Sequence, residues 1–211
     1  MKRILIGTTN PSKLKRFEGL LSGFDVEFLT LNDLGITQEP EETGITSAEN
    51  AAIKAKFYGA YFDSVVCNDS GLYFDSLDIS DPRQPGLKIR TPFGKRLDDD
   101  EMISYYSSLI RSLGGKVTAY YDDGIAVFER GRVYTFSKSK EDALKAAFYM
   151  TDVPSPKRHP GWPLDSISIN IESGRYFVDR DSNNKSSVKE NIIKGSYRAR
   201  LIEFLKNSLE L

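Results

Sequence analysis

A chain of 211 residues is long enough for one sizeable core, or for one domain carrying a second lobe. Its 39% hydrophobic and 28% charged residues are the balance of a globular protein, and a net charge of -1 excludes a global electrostatic attraction to nucleic acid or an anionic membrane. No apolar run reaches the roughly 20 residues a membrane helix needs, and the lone Cys67 excludes an internal disulfide or a cysteine metal cluster, which suits a reducing, cytoplasmic setting.

The apolar stretch after Lys2-Arg3 is too short for a signal peptide and reads as a first strand over 3–7. A helix follows over 11–21: Asn10 suits the N-cap, Pro11 the first helical position, and Leu14, Phe17, Leu20 and Leu21 form one stripe. Residues 26–31 read as a second strand and 37–44 as a polar loop. A second helix spans 46–61, with Thr46 as cap and Glu49 reaching back to the cap amide. Residues 64–68 form a third strand that breaks at Asp69-Ser70-Gly71 and resumes over 72–74. Three prolines make 78–94 irregular, and acidic residues open a third helix over 98–113. Residues 116–137 read as a hairpin turned near Glu129-Arg130-Gly131-Arg132, and 139–150 as a helix with Ala143, Leu144, Ala147 and Phe148 on one face. A proline-rich loop over 154–163 leads to paired strands at 167–171 and 176–178, and a helix over 186–209 closes the chain. Strands and helices interleave throughout without repeats or a linker, which predicts an α/β domain with a mixed sheet, occupying 1–211 as a single unit or as two lobes.

Two places carry chemistry. The strand–turn–helix at Thr8-Thr9-Asn10-Pro11-Ser12-Lys13 is an anion cradle in outline: free amides and the positive end of the helix face the turn, and Lys13 adds a full charge. It lacks the Walker spacing. Further on, Asn50 and Lys54 lie four apart and leave the second helix on one face, close in sequence to Glu41, Glu42 and the turn aspartate Asp69. Magnesium takes oxygen ligands, commonly one or two protein carboxylates plus substrate phosphates. Glu41 or Glu42 together with Asp69 supplies that pair, Asp69 can also orient or deprotonate water, and Lys54 offsets charge on the phosphates. The plainer readings are a solvated helix face, loop acids and an ordinary strand–helix turn. Cys67, in an apolar run, is a buried structural thiol. His159, in Lys157-Arg158-His159, sits in a local basic clamp or an exposed loop, and Trp162 stacks on a base or packs at a rim.

Taken together, these residues resemble the noncanonical purine NTP pyrophosphatases, the inosine triphosphate pyrophosphatase family. Residues 4–13 are similar to that family's strand followed by Thr-Gly-Asn-x-x-Lys. Glu41-Glu42-Thr43-Gly44-Ile45-Thr46-Ser47-Ala48-Glu49-Asn50-Ala51-Ala52-Ile53-Lys54-Ala55 is similar to its Glu-Glu-Thr-Gly-x-Thr-x-x-Glu-Asn-Ala-x-x-Lys-Ala, and Asn68-Asp69-Ser70-Gly71-Leu72 to its Asp-Asp-Ser-Gly-Leu. The resemblance implies an elongated fold with a twisted sheet flanked by helices, a central nucleotide-binding cleft and a homodimer. It also implies Mg2+-dependent cleavage of ITP, dITP or XTP between the α and β phosphates. Carried over position by position, Thr8, Thr9, Asn10, Lys13 and Ser70 meet the substrate, Asp69 is the base and Lys54 contacts phosphate. Glu41 or Glu42 binds metal with Asp69, while Trp162, Asp165, Lys189 and Lys194 occupy the base-reading positions.

The departures fall at Thr9, which replaces a glycine, at Asn68, which replaces an acid, and in 189–195, which lacks the family's serine–histidine pair. The expectation is therefore a pyrophosphatase of altered base specificity, because a polar pocket rejects substrates that leave its groups unpaired. Its rivals are a catalytically weakened nucleotide sensor on the same fold and an interaction protein that keeps only the fold.

Overall fold

The computed structural model describes residues 1–179 and 188–211, with side chains described over 1–179 and 197–211; the expected Lys189 and Lys194 contacts lie outside those described side chains. Seven strands among the described residues form one mixed sheet in the order β2-β1-β3-β4-β6-β7, with β5 paired to β4. The strands are β1 (Lys2–Ile6), β2 (Val26–Thr30), β3 (Ser64–Phe74), β4 (Lys116–Glu129), β5 (Arg132–Ser137), β6 (Phe148–Thr151) and β7 (Ser168–Ile169). Five helices accompany them: α1 (Pro11–Leu20), α2 (Ser47–Tyr58), α3 (Asp99–Ser112), α4 (Lys140–Lys145) and α5 (Val188–Ser208). The α/β expectation is borne out.

The chain divides into two compact units. The first comprises Met1–Ser70, Asp122–Ser139 and Ile192–Leu211. Its parallel strands β1 and β2 pair Ile4 with Phe28, and β1 meets β3 at Leu5 and Val65. Side-chain alternation gives each strand two apolar faces, as a strand covered on both sides requires. Ile4, Ile6, Val66, Ile125 and Val127 pack with Phe17, Leu20 and Leu21 of α1 and with Leu201 and Leu205 of α5. The alternate set, Leu5, Val65, Cys67 and Ala126, packs with Ala51, Ala55 and Tyr58 of α2. Helices therefore cover both faces of this part of the sheet.

The second unit comprises Gly71–Tyr121 and Lys140–Asn191. Here α3 lays Met102, Ile103, Tyr106 and Ile110 against Leu72, Phe74, Val117 and Met150. Its start has the acidic opening read from the sequence and, beyond it, a reciprocal capping box: Asp98 accepts the Glu101 amide at 2.8 Å and Glu101 accepts the Asp98 amide at 2.9 Å.

Local chemistry explains the agreements and the departures alike. Asn10 caps α1 by accepting the Ser12 amide at 2.9 Å, and Pro11 holds the first helical position. The β4–β5 hairpin turns on Arg130 (φ 45°) and Gly131 (φ 86°), the left-handed pair that a two-residue turn demands. Four expectations are corrected. Glu49 accepts the Ile45 amide at 2.7 Å, one residue before the cap, while Thr46 accepts the Glu49 amide at 3.1 Å. The strand at 64–68 does not break at Asp69-Ser70-Gly71; β3 runs unbroken to Phe74, so Asp69 is a strand residue. β1 meets β3 at Val65 and Val66, and beyond them the neighbouring β4 and the bridge between Leu72 and Gly86 override the local turn signal of Ser70-Gly71. Helix α4 stops at Lys145, and Phe148–Thr151 becomes strand β6, which pairs Val117 with Met150 on β4 and turns Phe148 into the core. The last expected strand pair shrinks to β7 and one bridge between Ile169 and Tyr176.

One close approach sets the position of α2. A Cβ on Gly124 of β4 would stand 2.2 Å from the Ala48 amide nitrogen and 2.3 Å from the Ser47 carbonyl carbon, so the first turn of α2 lies directly on the strand backbone. Gly124→Ala is expected to lower unfolding free energy by about 2 kcal/mol or more in urea titration. Gly23→Ala, whose Cβ would meet nothing within 4 Å, is expected to stay within about 0.5 kcal/mol of the parent.

Candidate functional site

The first unit gathers Asp69, Asn50, Lys54, Glu42 and Lys13. Asp69 is buried, at 8% exposure, which makes its charge costly without partners. It has two: Asn50 Nδ2 donates to Asp69 Oδ2 at 3.2 Å, and Lys54 Nζ meets Asp69 Oδ1 at 3.2 Å. Both partners come from one face of α2, as their four-residue spacing forecast. The same Lys54 ammonium binds Glu42 Oε1 at 2.8 Å. Asn50 completes the link by accepting the Gly44 amide on its Oδ1 at 2.8 Å, which fastens the irregular segment bearing Glu42 to the helix.

Lys13 reaches in from α1, where its Nζ donates to the backbone oxygen of Asn68 at 3.2 Å. Burial and the nearby Lys54 charge depress its affinity for a proton, with Asp69, Asp123 and Glu42 opposing them. Lys54 shows the opposite balance. Burial works against its charge, but Asp69 and Glu42 outweigh burial and hold the ammonium above its ordinary value. The two lysines thus present an anion with one well-compensated charge and one poorly compensated one. The turn before α1 is anchored by its own side chains, since Thr8 Oγ1 accepts the Asn10 amide at 3.1 Å. Thr8, Thr9, Asn10, Pro11, Leu14, Thr30, Leu31 and Asn32 line a pocket there, with Thr9 and Asn10 exposed.

On the other face of β3, Asn68 and Ser70 point away from Asp69, as strand alternation requires. Asn68 Nδ2 donates to Asp123 Oδ1 at 3.4 Å, and Ser70 Oγ lies 3.5 Å from the same oxygen. Asp123 is gripped by Arg16, whose Nη1 donates to Oδ1 at 3.0 Å and whose Nη2 donates to Oδ2, while Tyr197 Oη donates to Oδ2 at 2.7 Å. Burial alone would raise the Asp123 pKa, yet these donors, Arg16 foremost, hold it below the ordinary carboxylate value. Sequence reasoning missed this set, and it missed that Asn50 touches Asp69. The signal was present in Asp122-Asp123 in the middle of an otherwise apolar strand, and in Arg16 three residues after Lys13 on the same helix.

Glu41 is exposed, and the carboxylate brought to Lys54 is that of Glu42. Among the described residues no three histidines, cysteines or acids cluster as a ready-made metal cage. A magnesium site of one or two carboxylates needs no such cage. Glu42 and Asp69 fit it: both lie against one ammonium, so their oxygens are no farther apart than those two contacts together allow. The buried Asn68 Oδ1 has no hydrogen-bond partner, but it lies on the opposite face of β3 from Asp69 and does not join that carboxylate pair. Cys67 is buried and its thiol pKa is pushed up to about 12, in keeping with a structural role.

Trp162 and Asp165 belong to the second unit. Trp162 is 41% exposed, and Asp165 Oδ2 meets His159 Nδ1 at 3.0 Å. The loop read from the sequence as a basic clamp or an exposed loop is exposed over 156–162. Lys157 is paired with Asp179 at 2.7 Å and His159 with Asp165, so local acids engage both groups. Arg90, in the proline–glycine segment, binds Asp99 at 3.0 Å and the Gly161 carbonyl at 3.2 Å. No helix among the described residues is long and apolar enough to cross a membrane.

Residues 4–141 match the model of the Ham1 family. A Thermoanaerobacter protein named dITP/XTP pyrophosphatase is 29% identical over 210 residues, covering 97% of this chain and 95% of that protein. A Bacillus subtilis protein of the same name is 29% identical and covers 100% of this chain and 98% of that one. The solved structure of a HAM1 protein from Coxiella burnetii shares the fold with a TM-score of 0.72 at 22% identity, covering 98% of this chain and 100% of that chain.

The depressed Asp123 pKa has a stability consequence. Its contribution is complete above the ordinary value of 3.8 and is lost as pH falls below that value toward the native one. The melting-temperature gap between the parent and Asp123→Asn is therefore expected to be widest near neutrality and to narrow below pH 3.8. Calorimetry across acidic pH checks it, and a gap independent of pH contradicts it.

Proposed function

The chain belongs to the Ham1 family, and from that premise and the site's geometry we propose that it is a nucleoside triphosphate pyrophosphatase. It adds water across the bond between the α and β phosphates of deaminated purine triphosphates such as ITP, dITP and XTP, releasing the monophosphate and pyrophosphate. The observation that carries this reading is the buried Asp69 carboxylate, fixed by Asn50 and Lys54 at 3.2 Å each in the same unit as Lys13. A fixed carboxylate between lysines is what a general base needs beside an anionic substrate.

Roles follow from position. The turn of Thr8, Thr9 and Asn10 offers amides and hydroxyls to the triphosphate, with Lys13 supplying charge. Lys54 balances charge on the phosphates and holds Asp69 in place. Ser70 is assigned to the substrate, and Trp162, Asp165, Lys189 and Lys194 to the base end on the family resemblance. Glu42 with Asp69 would hold Mg2+, with Glu41 as the neighbouring alternative, and the ion would neutralise phosphate oxygens and acidify water. A homodimer in the cytoplasm completes the reading, supported by the resemblance and by the single buried Cys67.

A second reading, a catalytically weakened nucleotide sensor, draws on one observation. Asn68 stands where the family pattern has an acid, and its Oδ1 is left without a partner.

Pyrophosphate release is to be measured from ITP, XTP, dITP, the standard triphosphates and modified pyrimidine triphosphates, with and without magnesium. Metal-dependent formation of a monophosphate from the deaminated purines is the expected outcome; tight binding without turnover favours the sensor. Asp69→Asn, close in shape to the parent side chain, is expected to lower kcat by at least about a thousandfold while the protein stays folded by circular dichroism. Near-parental turnover in that variant removes Asp69 as the base.

A further inference from the structure

We propose that Arg16, Asp123 and Tyr197 are positioning residues for the site: Asp123, itself held by Arg16 and Tyr197, binds the two neighbours of Asp69 and so fixes where that carboxylate stands. The proposal deepens the pyrophosphatase reading and rests on Asp69 being its base.

The geometry is specific to the strand segment that bears the base. Asp123 shares its Oδ1 with Asn68 Nδ2 at 3.4 Å and Ser70 Oγ at 3.5 Å, the residues immediately before and after Asp69. It therefore holds β3 from the face opposite Asp69, at the two points where a small twist of the strand would re-aim that side chain. Three elements converge on this one buried carboxylate. Arg16 comes from α1, whose Lys13 also donates to the Asn68 carbonyl at 3.2 Å, so a single helix holds 68–70 by two routes. Tyr197 comes from α5 and donates to Asp123 Oδ2 at 2.7 Å, with Arg16 Nη2 donating to its hydroxyl at 3.3 Å. The Tyr197 ring is itself seated against Phe136 of β5 at 5.8 Å between centroids. Removing the hydroxyl would thus leave the packing in place.

A comparable carboxylate on the same strand lacks this connection. Glu129 of β4 is also buried and is paired with Lys2 at 3.0 Å and Ser64 at 2.8 Å, but these contacts lie at the other end of the strands. Glu129 thus supplies a control in which a buried charge is removed without touching 68–70. A group of purely structural importance would behave as Glu129 does. A positioning group acts on kcat more than on KM, because misplacing the base affects the transition state and leaves ground-state contacts with the nucleotide intact.

The test compares Tyr197→Phe, Asp123→Asn and Glu129→Gln for melting temperature, kcat and KM on the preferred triphosphate with magnesium. Tyr197→Phe and Asp123→Asn are expected to lose about tenfold or more in kcat with KM within about threefold of the parent. Glu129→Gln is expected to lose melting temperature while keeping kcat. Parental kcat in folded Tyr197→Phe overturns the proposal, as does an equal loss of kcat in Glu129→Gln. Should Asp123→Asn fail to fold, Tyr197→Phe decides by the same criterion. A parent protein that releases no pyrophosphate sinks the function itself and this proposal with it, whereas an active parent with unaffected variants sinks the positioning set alone.

Discussion

The alternation of side chains along β3 at 68–70 is the constraint on which the rest of the site depends. One residue, Asp69, faces the α2 layer, and its two neighbours face the α1 and α5 layer. A charged strand segment buried between two helical layers is unfavourable unless each face supplies partners. The α2 face supplies Asn50 and Lys54, and the opposite face supplies Asp123 with its own counter-charge, Arg16. Because the strand is continuous through Gly71, neither set can shift without moving the other. A loop aspartate, which the local sequence suggests, would have had no such coupling.

The two lysines show how the same burial can serve different ends. Lys54 sits between two carboxylates and keeps its proton firmly, so its positive charge is largely absorbed by Asp69 and Glu42. Lys13 donates to a backbone carbonyl, and burial first and the like charge of Lys54 second make it hold its proton less firmly than an ordinary lysine. In the proposed enzyme an incoming polyphosphate would relieve Lys13 more than Lys54. Lys54 gains a further role only when Glu42 or Asp69 turns to another cation.

Much of the layering was legible because it rests on local chemistry. The Asn10-Pro11 start, the Thr46 cap and the acidic opening of α3 all name helix beginnings through hydrogen bonds made within four residues, and all three appear. The hairpin at Arg130-Gly131 follows from backbone freedom in the same way. The errors have a common origin in long-range pairing. Ser70-Gly71 signals a turn, yet the neighbouring β4 and the Leu72–Gly86 bridge keep that stretch extended. Likewise Phe148-Tyr149-Met150 has a helical spacing with Ala143 and Leu144, but β4 offers it four paired residues and a core position for Phe148. The same limit applied to the site. Asp69, Lys54 and Glu42 lie within thirty residues and could be grouped from spacing, whereas Arg16, Asp123 and Tyr197 are joined across separations of 74 to 181 residues.

The placement of the two candidate metal carboxylates bears on how the site can work. Asp69 is carried by a strand, buried and held from both sides, while Glu42 is carried by a segment without regular structure and its side chain is 45% exposed. A base must stay within hydrogen-bond reach of water throughout turnover, and a strand between two helical layers provides that rigidity. In the proposed enzyme a carboxylate that would hold a metal has a different requirement, since Glu42 is engaged by Lys54 at 2.8 Å and would have to exchange that partner. Asn50 links the two carboxylates: one end of its amide fixes Asp69 and the other holds the Gly44 amide, so the segment bearing Glu42 is tethered near its base while the Glu42 side chain is paired with Lys54.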